Sequence, residues 1–206
     1  MRHVDTYIQQ LTLLVDIFRG NIRNHVNELL DLFHHLWPNT SLHFTLVALV
    51  ESLATALDTD FKPHLPAVLP QILNVFNQPV SDKQQNQAAL RVYKALLAFG
   101  SNIEEYLPLC LPFIVNSMNH SDPAIRKSAV TTIGGLAKRV NLSKHASRII
   151  HPLIRALPAG SNEFNTAAMD TMCTLVFQLG SDFAIFVPMV KKVREYINQI
   201  QLSLTH

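Results

Sequence analysis

Ten histidines are the residues of this sequence that could most readily hold a metal ion. Two histidines spaced four residues apart on a helix can bind one zinc ion, because they lie on the same face. His34 and His35 are adjacent, and His145 and His151 are six apart, so neither pair has that spacing. We therefore expect no metal site, the alternative being one assembled from residues far apart in the sequence.

Basic side chains recur at helical spacing in the last third of the sequence. The predicted partner-binding face consists of Lys144, Arg148, His151, Arg155, Lys191, Lys192 and Arg194. The first four are separated by four, three and four residues, which places them on one side of a helix, opposite its apolar stripe. Such a stripe is either solvated or in contact with an acidic protein partner or another part of the chain. Phosphate-rich ligands are less favoured, because no aromatic residues are interleaved.

Motifs for catalysis and cofactor binding are missing from the sequence. Gly134-Gly135 is the only glycine pair, and neither G-x-G-x-x-G nor G-K-[ST] occurs. We interpret Gly134 as a site of close helix approach or of a local bend, with ligand binding as the alternative. Cys110 and Cys173 are too few for a disulfide framework and match no zinc spacing, so we expect buried thiols in a reducing compartment. We expect no catalytic residue, no cofactor and no small-molecule substrate.

The composition excludes disorder. Hydrophobic residues make up 48% of the 206 and charged residues 16%, whereas disordered chains combine low hydrophobicity with high net charge. A net charge of +2 does not indicate nucleic-acid binding. The first twenty residues carry too many polar side chains for a signal peptide, and uninterrupted apolar runs are far short of the roughly 18 residues that span a bilayer. We expect a soluble cytoplasmic protein without direct membrane insertion.

An internal repeat predicts the fold. Aligning Asn27, Pro66, Pro108, Arg148 and Pro188 gives spacings of 39, 42, 40 and 40 residues. A second column of prolines follows four residues later, at Pro70, Pro112 and Pro152. Periods of about 40 to 47 residues are typical of HEAT and armadillo arrays. The prediction is an all-α superhelix of about five helix pairs in one solenoid, with approximate repeats 1–38, 39–79, 80–120, 121–158 and 159–206.

Each repeat contains two amphipathic helical patterns. Residues 103–118 and 143–157 carry apolar side chains at the 3.6-residue period, and we expect each to form one helix. Gly20, Gly100 and Gly180 follow the first helix of their repeats, where a left-handed residue can end a helix. Neither the first nor the last helical pattern is clearly polar, which suggests a segment of a longer solenoid.

Several stretches of the sequence resemble the HEAT-repeat region of the target of rapamycin kinase family. The stretches that carry the resemblance are ASRIIHPLIR (146–155), TAAMDT (166–171), LVFQLG (175–180) and IFVPMVKKV (185–193), with QQL (9–11), FKPHLP (61–66) and FGSN (99–102) upstream. The resemblance covers nearly the whole chain in order and departs from the family after Val193. It implies the middle of the kinase's solenoid, and none of the family's ATP-binding or rapamycin-binding residues have counterparts here.

The resemblance implies a scaffold rather than an enzyme. In that family the solenoid supports dimer formation and binds companion subunits such as Raptor in nutrient-sensing complexes. The expected partners are therefore such subunits and the second kinase protomer, and the expected location is the cytoplasm or the periphery of endomembranes. Two alternatives are an independent HEAT adaptor of the transport or phosphatase-scaffold type and, more remotely, a HEAT-like DNA glycosylase. The glycosylase would need a strongly basic concave face.

Overall fold

The fold consists of α-helices joined by short 3₁₀ turns, as the computed structural model shows for residues 2–77 and 83–192. The helices of this part of the chain are α1 (Arg2–Phe18), α2 (Val26–Leu36), α3 (His43–Leu57), α4 (Leu65–Leu73), α5 (Lys83–Ala98), α6 (Leu107–Asn116), α7 (Pro123–Ala137), α8 (Ala146–Ala156) and α9 (Asn162–Leu179). No strand occurs among these residues. The prediction of an all-α solenoid is confirmed.

The first helices of successive repeats pack against one another. Two compact units lie on either side of the bond between Cys110 and Leu111. In the first unit α1 packs on α3 and α3 on α5, and in the second unit α7 packs on α9. Each of these helices buries apolar residues on the neighbouring repeat, because its own partner helix covers only part of its apolar surface. The predicted boundaries of the five repeats stay a prediction.

The second helices start later than the sequence pattern suggests. The predicted helix 103–118 is α6, which begins only at Leu107 because a 3₁₀ turn occupies Gly100–Tyr106. The predicted helix 143–157 is α8, which likewise follows the 3₁₀ turn Ser143–His145. Apolar periodicity continues through such turns, so it does not reveal where the α-helix itself begins.

Prolines mark the first turns of the second helices. Pro66 and Pro108 are the second residues of α4 and α6, where a missing N–H leaves no hydrogen bond unmade. Pro70, Pro112 and Pro152 lie inside α4, α6 and α8. The helices therefore begin ahead of the second proline column and not at it.

A residue with positive φ ends the first helix of several repeats. These residues are Arg19 (φ 47°), Asp58 (φ 49°), Gly100 (φ 57°) and Gly180 (φ 53°). The expectation for Gly100 and Gly180 is confirmed. The expectation for Gly20 is wrong, because its neighbour Arg19 takes the positive-φ position. A side chain with a Cβ tolerates this backbone poorly, so the turn is made with strain at Arg19 and Asp58.

Gly134 lets α7 and α9 approach closely. A Cβ at this position would lie 2.7 Å from Oγ1 of Thr171 and 3.5 Å from its Cα. The Thr171 hydroxyl donates a hydrogen bond of 3.1 Å to the carbonyl oxygen of Val130, one turn earlier on α7. The interpretation of Gly134 as a site of close helix approach is confirmed.

The side of α9 that α7 does not cover exposes apolar side chains. Met169 and Val176 are exposed there, and Phe177 is 88% exposed. The N-caps of the two helices, Asp122 and Ser161, are 39 residues apart, so the equivalents of Met169 and Val176 on α7 are Val130 and Ala137, and both are buried. The exposed side of α9 therefore corresponds to the side of α7 that carries the next repeat. Helix α1 also exposes apolar residues, namely Val4, Tyr7, Leu13, Leu14, Ile17 and Phe18.

Two stretches of the described chain are long and apolar enough by composition to cross a membrane. They are Thr40–Phe76, whose apolar 18-residue window is 61% buried, and Asn162–Lys192, whose window is 11% buried. The first consists of core helices of the first unit, and the second contains the exposed side of α9. Positive-φ residues, Asp58 and Gly180, interrupt the α-helix within each stretch.

Substitution of Gly100 with alanine tests the strained turn. An added Cβ would meet no atom within 4 Å, so the loss comes from the backbone alone. We expect the free energy of unfolding to fall by roughly 1–3 kcal/mol in urea titrations of the purified chain. Gly20→Ala is the matched control, because its Cβ also meets nothing within 4 Å and its φ is not positive. Equal losses for the two variants would contradict this account of the turn.

A double-mutant cycle tests the contact between α7 and α9. Gly134→Ala introduces a Cβ into the Thr171 hydroxyl, and overpacking of this kind costs about 1–3 kcal/mol. We expect that cost to exceed the gain of about 1 kcal/mol in helix propensity, so the variant is less stable than the wild type. In a Thr171→Ala background the obstructing atom is gone, and Gly134→Ala should raise the free energy of unfolding. The same sign in both backgrounds would refute the close approach.

Candidate interaction surface

Helix α8 places arginines on its solvent side. Its buried side consists of Ala146, Ile149, Ile150, Leu153 and Ile154. Arg148 lies between these residues in sequence and Arg155 follows the last of them; the two arginines are seven positions apart, and both are exposed. Lys144 is exposed in the 3₁₀ turn that precedes the helix. The predicted segregation of basic and apolar residues on α8 is therefore present in the structure.

The second basic cluster lies one repeat later. Lys191 and Lys192 are exposed at the end of the helical residues 187–192, which follow the turn Gly180–Phe186 and are the described part of the next second helix. Arg194 lies outside the described residues. We call the exposed set Lys144, Arg148, Arg155, Lys191 and Lys192 the basic face.

His151 differs from the other predicted members of the surface. Its side chain is partly buried, and its ring meets the ring of Phe186 edge-on at 5.7 Å between centroids. Phe186 belongs to the turn that precedes the next second helix. His151 thus packs α8 against the following repeat and contributes little to the exposed surface.

Several cations elsewhere in the chain are paired with carboxylates about one repeat away. The pairs are Arg23 with Asp60, Lys62 with Glu105 at 2.7 Å, Arg91 with Glu51 at 2.6 Å, and Lys127 with Glu163 at 2.7 Å. The partners are 36 to 43 residues apart, because equivalent positions of adjacent repeats lie side by side. These contacts join consecutive repeats.

Two of the ion pairs also shift the pKa of one of their members. A hydrogen bond from Lys127 lowers the pKa of the exposed Glu163 carboxyl, and the charge of Lys127 acts in the same direction. The Glu105 carboxylate raises the pKa of Lys62 in the same way. Burial raises the pKa of Glu51, while Arg91 and Lys94 oppose that shift. The pairing therefore favours the charged forms of Glu163 and Lys62.

The basic face has no such partner among residues 2–77 and 83–192. No ion pair within this part of the chain involves Arg148, Lys191 or Lys192. The residues 36 to 44 positions after Arg148 include Lys191 and Lys192 but no carboxylate. One repeat after Arg148 the chain therefore carries further positive charge, whereas one repeat after Lys127 it carries the opposite charge of Glu163.

The small net charge conceals an uneven distribution. Residues 1–110 contain seven Lys and Arg and ten Asp and Glu, whereas residues 111–206 contain ten Lys and Arg and five Asp and Glu. The excess positive charge therefore belongs to the second unit, which contains the basic face.

Gln178 is a structural residue that the sequence analysis missed. Helix α7 ends without a positive-φ residue, and Gln178 of α9 binds the backbone that follows. Its Nε2 donates to the carbonyl oxygens of Ala137 and, at 2.7 Å, Val140, while its Oε1 accepts from the N–H of Leu142 at 3.0 Å. The only signal in the sequence is a polar residue within an apolar run. It does not identify a partner about 40 residues earlier.

No metal-binding cluster occurs among the described residues, which contain no group of three or more His, Cys, Asp or Glu side chains that could hold a metal ion. Burial raises the pKa of the Cys110 thiol to about 12, so it is protonated at neutral pH. Cys173 is exposed, and the expectation that both thiols are buried is wrong for this residue. Burial also lowers the pKa of His43, whose Nε2 donates to the Trp37 carbonyl oxygen at 2.9 Å.

Comparison with known families identifies the repeats. Residues 38–206 match the family model described as "Stalled ribosome sensor GCN1-like, HEAT repeats". This match covers more than half of the chain, including α3 to α9.

Individual relatives are kinases of much greater length. The chain is 40% identical over 190 residues to serine/threonine-protein kinase tor1 of Schizosaccharomyces pombe, a match that covers 91% of the chain and 8% of the kinase. It is 35% identical over 201 residues to TOR2 of Saccharomyces cerevisiae, covering 98% of the chain and 8% of the kinase. The match to mTor of Drosophila melanogaster is 36% over 187 residues, covering 89% of the chain and 7% of the kinase. The chain thus spans less than a tenth of the relatives it matches.

Removal of the Lys127 charge tests the contacts between repeats. In the wild type we expect the pKa of Glu163 to lie below its ordinary value of 4.5, so this pair contributes to stability above that pH and less as the pH falls. Lys127→Met should raise the pKa of Glu163 towards 4.5, as measured by NMR titration of its carboxyl carbon. Lys127→Arg is the control that retains the charge. An unchanged titration in Lys127→Met would mean that the two side chains do not interact in solution.

Proposed function

Because this chain belongs to the HEAT-repeat family and is homologous to a segment of target of rapamycin kinases, we propose that it is a non-catalytic scaffold within a serine/threonine kinase of that type. The scaffold holds distant parts of the kinase at fixed spacing and presents helix faces to protein partners. The observation that carries the proposal is the identity of 35–40% over 91–98% of the chain to two such kinases.

The contacts between repeats support a mechanical role. Within each unit successive first helices pack directly, and Gln178 and the ion pairs join neighbouring repeats at their edges. Each repeat of such an array is held by its neighbours, so the array keeps the parts of the kinase that it connects at a fixed spacing. Catalysis by the kinase then belongs to a domain outside this segment.

The uncovered sides of α1 and α9 support a position inside a longer array. On α9, Met169 and Val176 occupy the side that carries the following repeat on α7. A further HEAT repeat would bury them, and burial of apolar surface stabilises the fold by about 25 cal/mol per Å².

The proposed partners are proteins. By homology they are the companion subunits of such kinases, for example Raptor, and the second protomer of a kinase dimer. The basic face is our candidate for one of these contacts, because its exposed cations lie on the solvent side of a rigid helix. The proposed location is the cytoplasm, including the periphery of endomembranes within a complex.

Sequencing of the full transcript is the first test of this function. We expect the reading frame to continue into a kinase domain, as the coverage of 7–8% of the relatives' lengths suggests. A complete transcript that encodes only these repeats would refute the kinase scaffold and favour an independent HEAT adaptor.

The second test separates scaffolding from catalysis in the full-length kinase. Leu153→Asp places a charge in the core of α8, where the leucine is fully buried, and should disrupt this repeat. We expect companion subunits to be lost from the purified kinase, while phosphorylation of a short generic peptide is retained. Ser147→Asp adds the same charge at an exposed position of the same helix and is the control. Retention of all subunits by a Leu153→Asp protein whose repeat is shown to be unfolded by protease sensitivity would contradict the scaffold.

A further inference from the structure

We propose that the basic face binds a short, extended acidic segment of a protein partner. This inference rests on the proposed scaffold function and specifies the chemistry of one contact. The face joins α8 to the next second helix through Lys144, Arg148, Arg155, Lys191 and Lys192, all of which are exposed.

The first argument is the missing counter-charge. Lys127, on the neighbouring first helix, has Glu163 at 2.7 Å one repeat later. The equivalent window for Arg148, 36 to 43 residues later, contains Lys191 and no Asp or Glu, and Lys192 follows it directly. Like charges on adjacent helices repel one another, and an external anion removes that repulsion. The charge pattern therefore favours binding of a negatively charged group.

The second argument is the placement of the cations on two consecutive second helices. The contact between His151 and Phe186, 5.7 Å between ring centroids, joins α8 to the turn that introduces the next second helix. Packed helices lie about 8–10 Å apart. Arg148 and Arg155 are seven residues apart on α8, which corresponds to a rise of about 10 Å. The cations thus form a patch with dimensions of about 10 Å in each direction.

The dimensions suit an extended peptide. An extended chain rises about 3.3 Å per residue, so three or four residues span the distance between the two arginines. Two acidic side chains at that separation could each meet one guanidinium, whose fork of N–H groups matches a carboxylate. Lys191 and Lys192 would add attraction without demanding a fixed geometry.

The neighbouring side chains disfavour a membrane as the ligand. Membrane-surface helices combine basic residues with large apolar side chains that insert between lipids. Helix α8 exposes none, and the uncharged exposed residues beside the cations are Ser147, Pro158 and Pro188, with Ile185 the one large exposed apolar side chain in the turn before the lysines. Nucleic acid is disfavoured because no aromatic side chain on α8 is available to stack on bases.

The test is a binding titration with the complete 206-residue chain. The probe is a fluorescein-labelled ten-residue peptide of alternating Glu and Ser, and its Gln–Ser counterpart is the neutral comparison. We expect binding of the acidic peptide that weakens with added salt, and no binding of the neutral peptide. The variant Arg148→Glu/Lys191→Glu, which reverses one charge on each helix, should weaken binding about tenfold or more.

A matched variant distinguishes this face from general attraction to a basic protein. Lys62→Glu/Lys127→Glu makes the same change in net charge at two exposed cations that already have carboxylate partners. We expect it to change the affinity less than twofold, and circular dichroism will establish that both variants keep the helical content of the wild type. Equal weakening by the two double variants would overturn the proposal.

Two further measurements address other ligands and the underlying function. The chain could instead bind phosphatidylserine vesicles through Arg148 and Lys191 and fail to bind the acidic peptide. That result would refute the acidic peptide as the ligand and favour a membrane surface. If the chain does not bind the acidic peptide but the wild-type full-length kinase retains its companion subunits, only this inference is refuted. The proposed scaffold function is tested separately, by whether the Leu153→Asp kinase retains its companion subunits.

Discussion

The structure depends on the inability of each helix pair to bury its own apolar surface. A first helix such as α3 has completely buried residues around most of its circumference, and it obtains this burial from α1 on one side and α5 on the other. Because this packing brings equivalent positions of adjacent repeats together, polar side chains about 40 residues apart in the sequence meet. The ion pairs, the Thr171 hydroxyl and the Gln178 amide all join residues with about that separation in the sequence. The polar contacts follow from apolar packing and do not determine it.

Much of this fold is predictable from the sequence, for physical reasons that can be traced to particular residues. Prolines at the second position of α4 and α6 are compatible with a helix only near its start, and they repeat with the period of the array. Gly100 and Gly180 indicate positive-φ turns because glycine adopts them without strain. The same logic fails at Arg19 and Asp58, which adopt this backbone although their side chains disfavour it. There the surrounding helices impose a conformation that the local sequence does not signal.

The candidate surface was predictable only in outline. The spacing of Arg148 and Arg155 predicts one helix side, since helical periodicity is a local property. The separation of His151 from that surface is not local, because it depends on Phe186, 35 residues later. Which cations lack a carboxylate likewise depends on the neighbouring repeat. The sequence alone does not distinguish Lys127 from Arg148. Glu163 neutralises Lys127, whereas no carboxylate among the described residues neutralises Arg148.

The two units also differ in the chemistry that joins their repeats. In the first unit the contacts include two ion pairs between exposed or half-exposed side chains, at Asp60 and Glu105, a largely buried pair at Glu51, and a hydrogen bond of 2.7 Å from the Asn102 amide to the Asp58 carbonyl oxygen. In the second unit the Gly134–Thr171 approach and the three hydrogen bonds of Gln178 accompany the single pair at Glu163 among the described residues. Dissolved salt screens exposed charges but hardly affects steric fit or hydrogen bonds between uncharged groups. Added salt should therefore weaken the exposed ion pairs at Asp60, Glu105 and Glu163 in both units, while the joints made by the amides of Asn102 and Gln178 keep their strength.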